Sequence, residues 1–185
     1  DVLAGRTQGD LLEISLLLGS HMLVLAEKAK TLPEARAMLE NALSSGAGLR
    51  KLAEMIAAQG GDPRVVEDLS LLPQAAVKRV MRAETVGYLS AMDTTALGMA
   101  AQRMGAGRAK KSDMLDYSVG YVLHVRLGDE VTEDTPLATL YARNEAEAEE
   151  AEKAIRKALT IAGEKPSVPP LWDAVVTAEG TTYNR

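Results

Sequence analysis

The sequence predicts an α+β fold in which a helical first part, residues 1-72, precedes a β-rich second part, residues 73-185, that carries helices of its own. Three observations point there. Apolar residues recur at helical spacing as far as Pro73, the period then falls towards two in short segments rich in β-branched and aromatic residues, and turn-forming residues gather at the change. A chain of 185 residues is also long enough to bury a core without a disulfide or metal staple.

The first helix is expected to start at Asp10, which forms a capping-box pattern with Glu13, and to run to about Lys30. Its apolar residues go nearly all the way round: Leu11, Leu12, Ile14, Leu16, Leu17, Leu18, Met22, Leu23, Val24 and Leu25 exceed one stripe. A helix of that kind is normally interior to a larger body. Ahead of it, Val2, Leu3, Ala4 and Gly5 read as the last turn of a helix with its C-terminal glycine, and the chain opens on Asp1 rather than Met. The expectation is a piece of a longer protein.

Thr31, Pro33 and Glu34 begin a second helix with another capping box, and Ala35, Met38, Leu39, Ala42 and Leu43 carry it to the Ser44-Ser45-Gly46 stop. Leu49, Leu52, Ala53 and Ile56 mark a third, ended by Gln59-Gly60-Gly61-Asp62-Pro63. A short turn or loop then leads to Leu72 and Pro73.

Strands are expected at residues 77-83, 86-92, 121-126 and 137-142. Val86-Gly87-Tyr88-Leu89 is echoed by Val119-Gly120-Tyr121-Val122, which suggests a two-copy β architecture. Between the copies, Asp93 or Thr94 caps a helix that stops at Gly105. Asn144 caps a last helix with Glu147 as its partner, acidic at its start (Glu145, Glu147, Glu149, Glu150, Glu152) and basic near its end (Lys153, Arg156, Lys157), as the helix dipole favours. Pro166, Pro169 and Pro170 lead to a final strand around residues 172-177.

Composition narrows the function classes. The chain has no cysteine, hence no disulfide framework, thiolate nucleophile or Cys-ligated metal, which fits a reducing compartment and makes the cytoplasm the default expectation. Net charge is −5, from 21 basic and 26 acidic residues spread without a basic stripe, which argues against a nucleic-acid partner. The most apolar stretch, residues 11-29, is interrupted by Glu13, Ser15, Ser20, His21, Glu27 and Lys28, so no membrane span is expected.

Candidate chemistry is sparse. His21 and His124 are the only histidines, and neither has the spacing of a metal site or a nucleophile-base pair. Gly105-Ala106-Gly107-Arg108, with Lys110 and Lys111, offers glycines and cations for an anion cradle, but it follows a helix and so meets the negative end of the dipole; a glycine cap and turn is the simpler reading. Asp113 with Asp116, or Asp129 with Glu130, could form an acid-base pair only if an apolar neighbour split their pKa values, and none is apparent. They read as turn residues, with Gly128-Asp129 as a hairpin turn. The Gly-Asp-x-Val turn also resembles half of a biotinyl or lipoyl carrier domain, yet its tip, Gly128-Asp129-Glu130, holds no lysine to modify.

An ordered series of segments resembles the pyrimidine-nucleoside phosphorylases, thymidine phosphorylase among them. The segments are Leu18-Gly19-Ser20-His21-Met22, Ala58-Gln59-Gly60-Gly61-Asp62, Leu72-Pro73-Gln74-Ala75, Ala96-Leu97-Gly98, Gly105-Ala106-Gly107-Arg108, Asp116-Tyr117-Ser118-Val119-Gly120 and Leu127-Gly128-Asp129. The resemblance covers Asp1 to about Ile161 and maps onto the rear part of a family member only. It implies dimeric enzymes that use inorganic phosphate as co-substrate to split pyrimidine nucleosides into base and pentose 1-phosphate. It implies for this chain a helical remainder of the large α/β catalytic domain, residues 1-72, and a small carboxy-terminal domain of barrel-sandwich or hammerhead type, residues 73-185. The family's Lys-His-Ser phosphate motif and its base-binding Arg, Ser and Lys have no counterpart here. No catalytic, cofactor-binding or metal residue is therefore carried over, and the expected role is structural, with the amino-terminal catalytic portion of the same protein as partner.

Overall fold

A computed structural model describes residues 1-184 as two compact units, Asp1–Leu71 with the segment from Pro169 onward, and Leu72–Val168.

In the first unit, helix α1 spans Asp10–Leu25, α2 Leu32–Ser44 and α3 Ala47–Ala58, followed by single 3-10 turns at Pro63–Val66 and Leu69–Leu71. Asp10 is the first helical residue rather than the cap, which is Gly9, so the expected box with Glu13 does not form. Glu13 instead takes both oxygens to Arg36 of α2, at 3.0 and 2.9 Å. The second box is real but shifted: Thr31 Oγ1 accepts from the Glu34 N–H at 3.3 Å, while Glu34 Oε2 accepts from the N–H of Lys30, one residue before the cap.

Helix α1 stops five residues earlier than its pattern suggests. Lys28 N–H reaches Leu23 O (2.9 Å) and Glu27 N–H reaches Val24 O (3.0 Å), with Glu27 at φ 56°. Those are the paired bonds of a Schellman motif, with glutamate at the left-handed position that glycine usually takes. Helix α3 closes the same way on Gly60 (φ 82°), through Gly61 N–H to Ile56 O and Gly60 N–H to Ala57 O. Helices α1 and α2 approach at Gly19, where an added Cβ would lie 2.9 Å from Leu39 Cδ1. Leu16, Ser20, Ala29 and Ala35 are buried, but on α1 Leu11 (66% exposed), Leu18 (56%), Met22 (68%) and Leu25 (84%) face outward. The spacing of these four forms a second apolar seam. The unit's last segment is a hairpin, β7 (Ala174–Thr177) with β8 (Gly180–Tyr183), where one strand is expected.

That second unit holds two three-stranded antiparallel sheets. One has the order β1 (Val77–Arg82), β5 (Pro136–Ala142), β3 (Gly120–Leu123); the other β4 (Glu130–Val131), β2 (Gly87–Met92), β6 (Leu159–Ala162). Both central strands were legible as strands, but β6 was not: Leu159-Thr160-Ile161-Ala162 continues directly from helix α5 (Glu145–Ala158). The echoed segments are not equivalent, since β2 is central in its sheet and β3 is an edge. Because β3 pairs with β5 and β4 with β2, Gly128-Asp129 crosses between sheets and is no hairpin tip. Gly128 N–H and Asp129 O instead bond both backbone groups of Leu89, at 2.8 and 2.9 Å.

One core joins the sheets. Met81, Leu89, Val131, Leu137, Leu140 and Ile155 are fully buried within it, with Leu97 and Ala100 of α4 (Thr94–Ala101). Strand β5 is buried along nearly its whole length because its residues are covered on both faces. Helix α5 lays Ala148, Ala151, Ile155 and Ala158, at i, i+3, i+7 and i+10, against β5, β1 and α4. Its ends are set as expected: Asn144 Oδ1 accepts from Glu147 N–H at 2.9 Å, and Asp93 Oδ1 caps α4 through Ala96 N–H at 2.9 Å.

Candidate functional site

The loop that follows α4 gathers most of the polar residues that could do chemistry. The helix ends in a π-type turn, Gln102–Ala106, because Gly105 adopts φ 105°, and the chain returns to Gly105 eleven residues later through Asp116 N–H to Gly105 O at 3.0 Å. Between these points the backbone N–H groups of Ala109 and Lys110, which follow the Gly105-Ala106-Gly107-Arg108 run of the suspected cradle, are taken by the Asp113 carboxylate at 3.1 and 2.8 Å. Gln102 Nε2 donates to Arg108 O at 2.6 Å. Two N–H groups just after the suspected cradle are thus satisfied from within the loop, while the Arg108, Lys110 and Lys111 side chains are exposed.

Asp116 is engaged as well. Its Oδ1 accepts from Ser118 Oγ (2.6 Å) and Ser118 N–H (3.0 Å), and these bonds, with Arg143 nearby, hold its carboxyl below the usual carboxylate range. A general acid at neutral pH requires a shift in the opposite direction. Asp129 Oδ2 accepts from Arg126 N–H at 2.7 Å in a local turn, and Glu130 lies exposed on β4 opposite Tyr88. Neither pair of carboxylates is arranged as acid and base.

The histidines lie in different units. His21 is half-buried on α1, and His124, at the end of β3, bonds Thr139 Oγ1 of β5 through Nε2 at 2.7 Å. That bond satisfies the buried Thr139 hydroxyl and serves the sheet. Among the described residues no group of three or more His, Cys, Asp or Glu could hold a metal ion. Other charges tie α5 down: Arg79 of β1 meets Glu145 at 2.6 Å and Glu152 at 3.4 Å, while Arg156 meets Glu152 at 2.9 Å and donates to Arg82 O at 2.9 Å.

Two concavities stand out. A cleft of about 260 Å³ between α4 and α5 is lined by Arg103, Glu147 and Glu150 over Met104 and Ala151. An apolar groove of about 440 Å³ runs along α1 and α2 past Leu3, Leu11, Leu12, Leu16, Leu39 and Leu43. The first has few converging polar groups and the second almost none. Sequence reasoning singled out the glycines and cations of this loop but missed what occupies the Ala109 and Lys110 N–H groups; the signal was Asp113, placed three and four residues after Lys110 and Ala109.

A small α+β unit of two antiparallel sheets with two helices, and a helical unit that carries an exposed apolar seam, are the class these observations define. Its affiliation follows from comparison with known proteins. Residues 88–162 match the family model described as pyrimidine nucleoside phosphorylase C-terminal domain. The pyrimidine-nucleoside phosphorylases of Bacillus subtilis and Geobacillus stearothermophilus are each 46% identical to the chain over 145 residues, covering 78% of it and 34% of the relative. That of Staphylococcus aureus is 40% identical over 177 residues, covering 96% of the chain and 40% of the relative. The chain matches the carboxy-terminal portion of pyrimidine-nucleoside phosphorylases, and it spans between a third and two-fifths of the length of these relatives. The carrier-domain alternative has no support among these matches, and its hairpin tip is absent from the fold.

Proposed function

We propose that this chain is the structural rear of a pyrimidine-nucleoside phosphorylase. In the complete protein a phosphate oxygen bonds to C1′ of the pentose as the bond from C1′ to the pyrimidine breaks, and the base leaves with a proton. That reaction requires preorganised cations and N–H donors around phosphate and sugar. In this chain the Asp113, Asp116 and Asp129 carboxylates and the N–H groups beside them are committed to local turns, so no catalytic, cofactor or metal residue is assigned to it. The single observation that carries the reading is the 40% identity over nearly the whole chain to a protein of that name.

On this reading, residues 1-72 complete the catalytic domain of the longer protein and residues 73-185 carry its small carboxy-terminal domain, of which Leu72–Val168 is the compact unit while the segment from Pro169 groups with the helices. The seam of Leu11, Leu18, Met22 and Leu25 on α1 is the surface the remainder covers, because exposed leucines cost about 25 cal/mol per Å² relative to burial. Inorganic phosphate is the co-substrate, a pyrimidine nucleoside the substrate, the assembly a homodimer and its place the cytoplasm.

A chimera tests this. The matching rear portion of the Staphylococcus aureus relative is replaced by this chain, and phosphate-dependent release of uracil from uridine is followed by absorbance. The chimera is expected to turn over; an inactive but folded chimera contradicts the assignment.

A further inference from the structure

Residues 1-6 carry the ending of a helix. Gly5 N–H bonds Val2 O at 3.0 Å and Arg6 N–H bonds Asp1 O at 2.9 Å, with Gly5 at φ 71°. This is the same pair of bonds that closes α1 at Glu27 and α3 at Gly60. In that motif the more distant carbonyl, Asp1 O, belongs to the third residue from the end of a helix, so Asp1 to Leu3 form a last turn. Three residues do not hold a helix by themselves, because nucleation is unfavourable in water. The turn is nonetheless seated: Leu3 Cδ2 would lie 3.1 Å from a Cβ built at Gly48, and Val2 and Leu3 line the apolar groove with Leu11, Leu16, Leu39 and Leu43.

Leu11 belongs both to that groove and to the exposed seam of α1. Along the seam Leu11, Ser15, Leu18, Met22 and Leu25, all exposed, recur at alternating steps of four and three residues. That is the spacing by which one helix packs lengthwise on another at a shallow angle. From Ile14 to Ala26 the sequence has no Asp, Glu, Lys or Arg, so this face lacks the charges of a solvated one. Only Gly5 to Gly9 separate the seated turn from Asp10, the first residue of α1. Helices joined by about 2 to 5 residues lie side by side and antiparallel.

We infer that the occupant of the seam is the helix that ends at Ala4, running antiparallel to α1 over Leu25, Met22, Leu18 and Leu11, with its last turn seated in the groove through Val2 and Leu3. This rests on the reading of the chain as the rear of a longer protein, since the body of that helix precedes Asp1; the chain covers 40% of the Staphylococcus aureus relative, which leaves chain enough to supply it. Leu11 to Leu25 span ~21 Å at a rise of about 1.5 Å per residue, so the helix needs about 14 residues, most of them ahead of Asp1. Its inner face is apolar at the same spacing as the seam.

The test joins to Asp1 the ~14 residues that precede the matching region of the Staphylococcus aureus relative, the length set by the seam, and compares the whole chain with and without them by far-ultraviolet circular dichroism, exposed-surface dye binding and sedimentation. A segment this short is marginal as a helix in water, so helical signal appears only where it docks. The extended chain is expected to gain about the signal of one helix of the length of α3 and to lose dye binding. Leu18→Glu and Met22→Glu, at exposed positions where the unextended chain keeps its melting temperature, abolish both changes; Val80→Glu, at an exposed apolar position of the second unit, abolishes neither. An extension that adds no helical signal, one that adds it equally with Met22→Glu, or a concentration-dependent dimer of the unextended chain that Met22→Glu dissolves, which would seat a second copy on the seam, each overturns the inference. The uracil-release chimera fails separately: an active chimera with an undocked extension contradicts the helix alone, and a docked extension in an inactive chimera contradicts the phosphorylase assignment alone.

Discussion

Leu89→Ala tests whether one core holds both sheets of the second unit. Leu89 is fully buried at the middle of β2, and its side chain enters the cluster that contains Val131 of β4, Leu137 and Leu140 of β5 and Ile155 of α5. Its backbone is fixed on one side by Gly128 and Asp129 and on the other by its pairing with Ile161 of β6, so the strand cannot close readily over a void. A Leu→Ala change at such a site costs about 2 to 5 kcal/mol. A middle value of ~3 kcal/mol is a large share of the ~5 to 15 kcal/mol that stabilises a typical domain. At about 4 to 8 °C per kcal/mol for a domain of this size, the melting temperature should fall by roughly 12 to 24 °C. Calorimetry on the whole chain reads the transition directly, with Val86→Ala as the control: Val86 is 65% exposed beside the same strand, and its truncation should stay within about 0.5 kcal/mol. If Leu89→Ala lowers the melting temperature no more than Val86→Ala does, the shared core is not what stabilises the two sheets.

Glu27→Gly should stabilise the helical unit by about 1 kcal/mol, because it relieves a left-handed residue that bears a side chain, and chemical denaturation of the chain would register the gain; a loss of stability contradicts the Schellman assignment. At Gly87 an added Cβ would meet the Ala162 carbonyl oxygen at 2.5 Å, so Gly87→Ala is expected to disrupt the pairing of β2 with β6 and to speed amide exchange in residues 159-162, whereas unaltered exchange there would show the strands are not so close. Asp62 is held down to about 2 from its ordinary 3.8 by the side-chain bond to Arg64, then by the Arg64 N–H. Its folded value lies below its unfolded one, so the contribution to stability is present above pH 3.8 and is lost as pH falls through about 2. Carbon-detected titration should find the Asp62 carboxyl low in the native chain and returned upward in Arg64→Ala.

Elements whose ends carry their own chemistry were legible in the sequence, and elements defined by distant partners were not. The stops at Gly46 and Gly60 and the caps at Asp93 and Asn144 are local signals, and the structure uses all four. Glu27 performs the same task as Gly60 without being glycine, which is why α1 reads too long. Strand β6 exists because Leu159 to Ala162 pair with Met92 to Tyr88, some seventy residues away, and nothing in Leu-Thr-Ile-Ala marks where helix gives way to strand. The partition into two sheets has the same origin: β3 and β4 are neighbours in sequence, but their partners lie on different strands. In the candidate loop, the glycines and cations around Gly105 were evident, while the role of Asp113 depends on a turn that brings its carboxylate back onto Ala109 and Lys110. Apolar residues on every side of α1 were the sequence signal for its exposed seam, and that signal survives in the structure as Leu11, Leu18, Met22 and Leu25.

The central claim is that the groups which perform phosphorolysis lie outside these residues. Its most direct measurement is the phosphate-dependent release of thymine from thymidine, and of uracil from uridine, by the purified chain, followed by chromatography at high enzyme concentration and saturating phosphate. The account predicts no release above the level without protein, because Asp113 is held by the Ala109 and Lys110 N–H groups, Asp116 is held by Ser118, and neither carboxylate is arranged as an acid-base partner of the other. Phosphate-dependent turnover by this chain alone would contradict it.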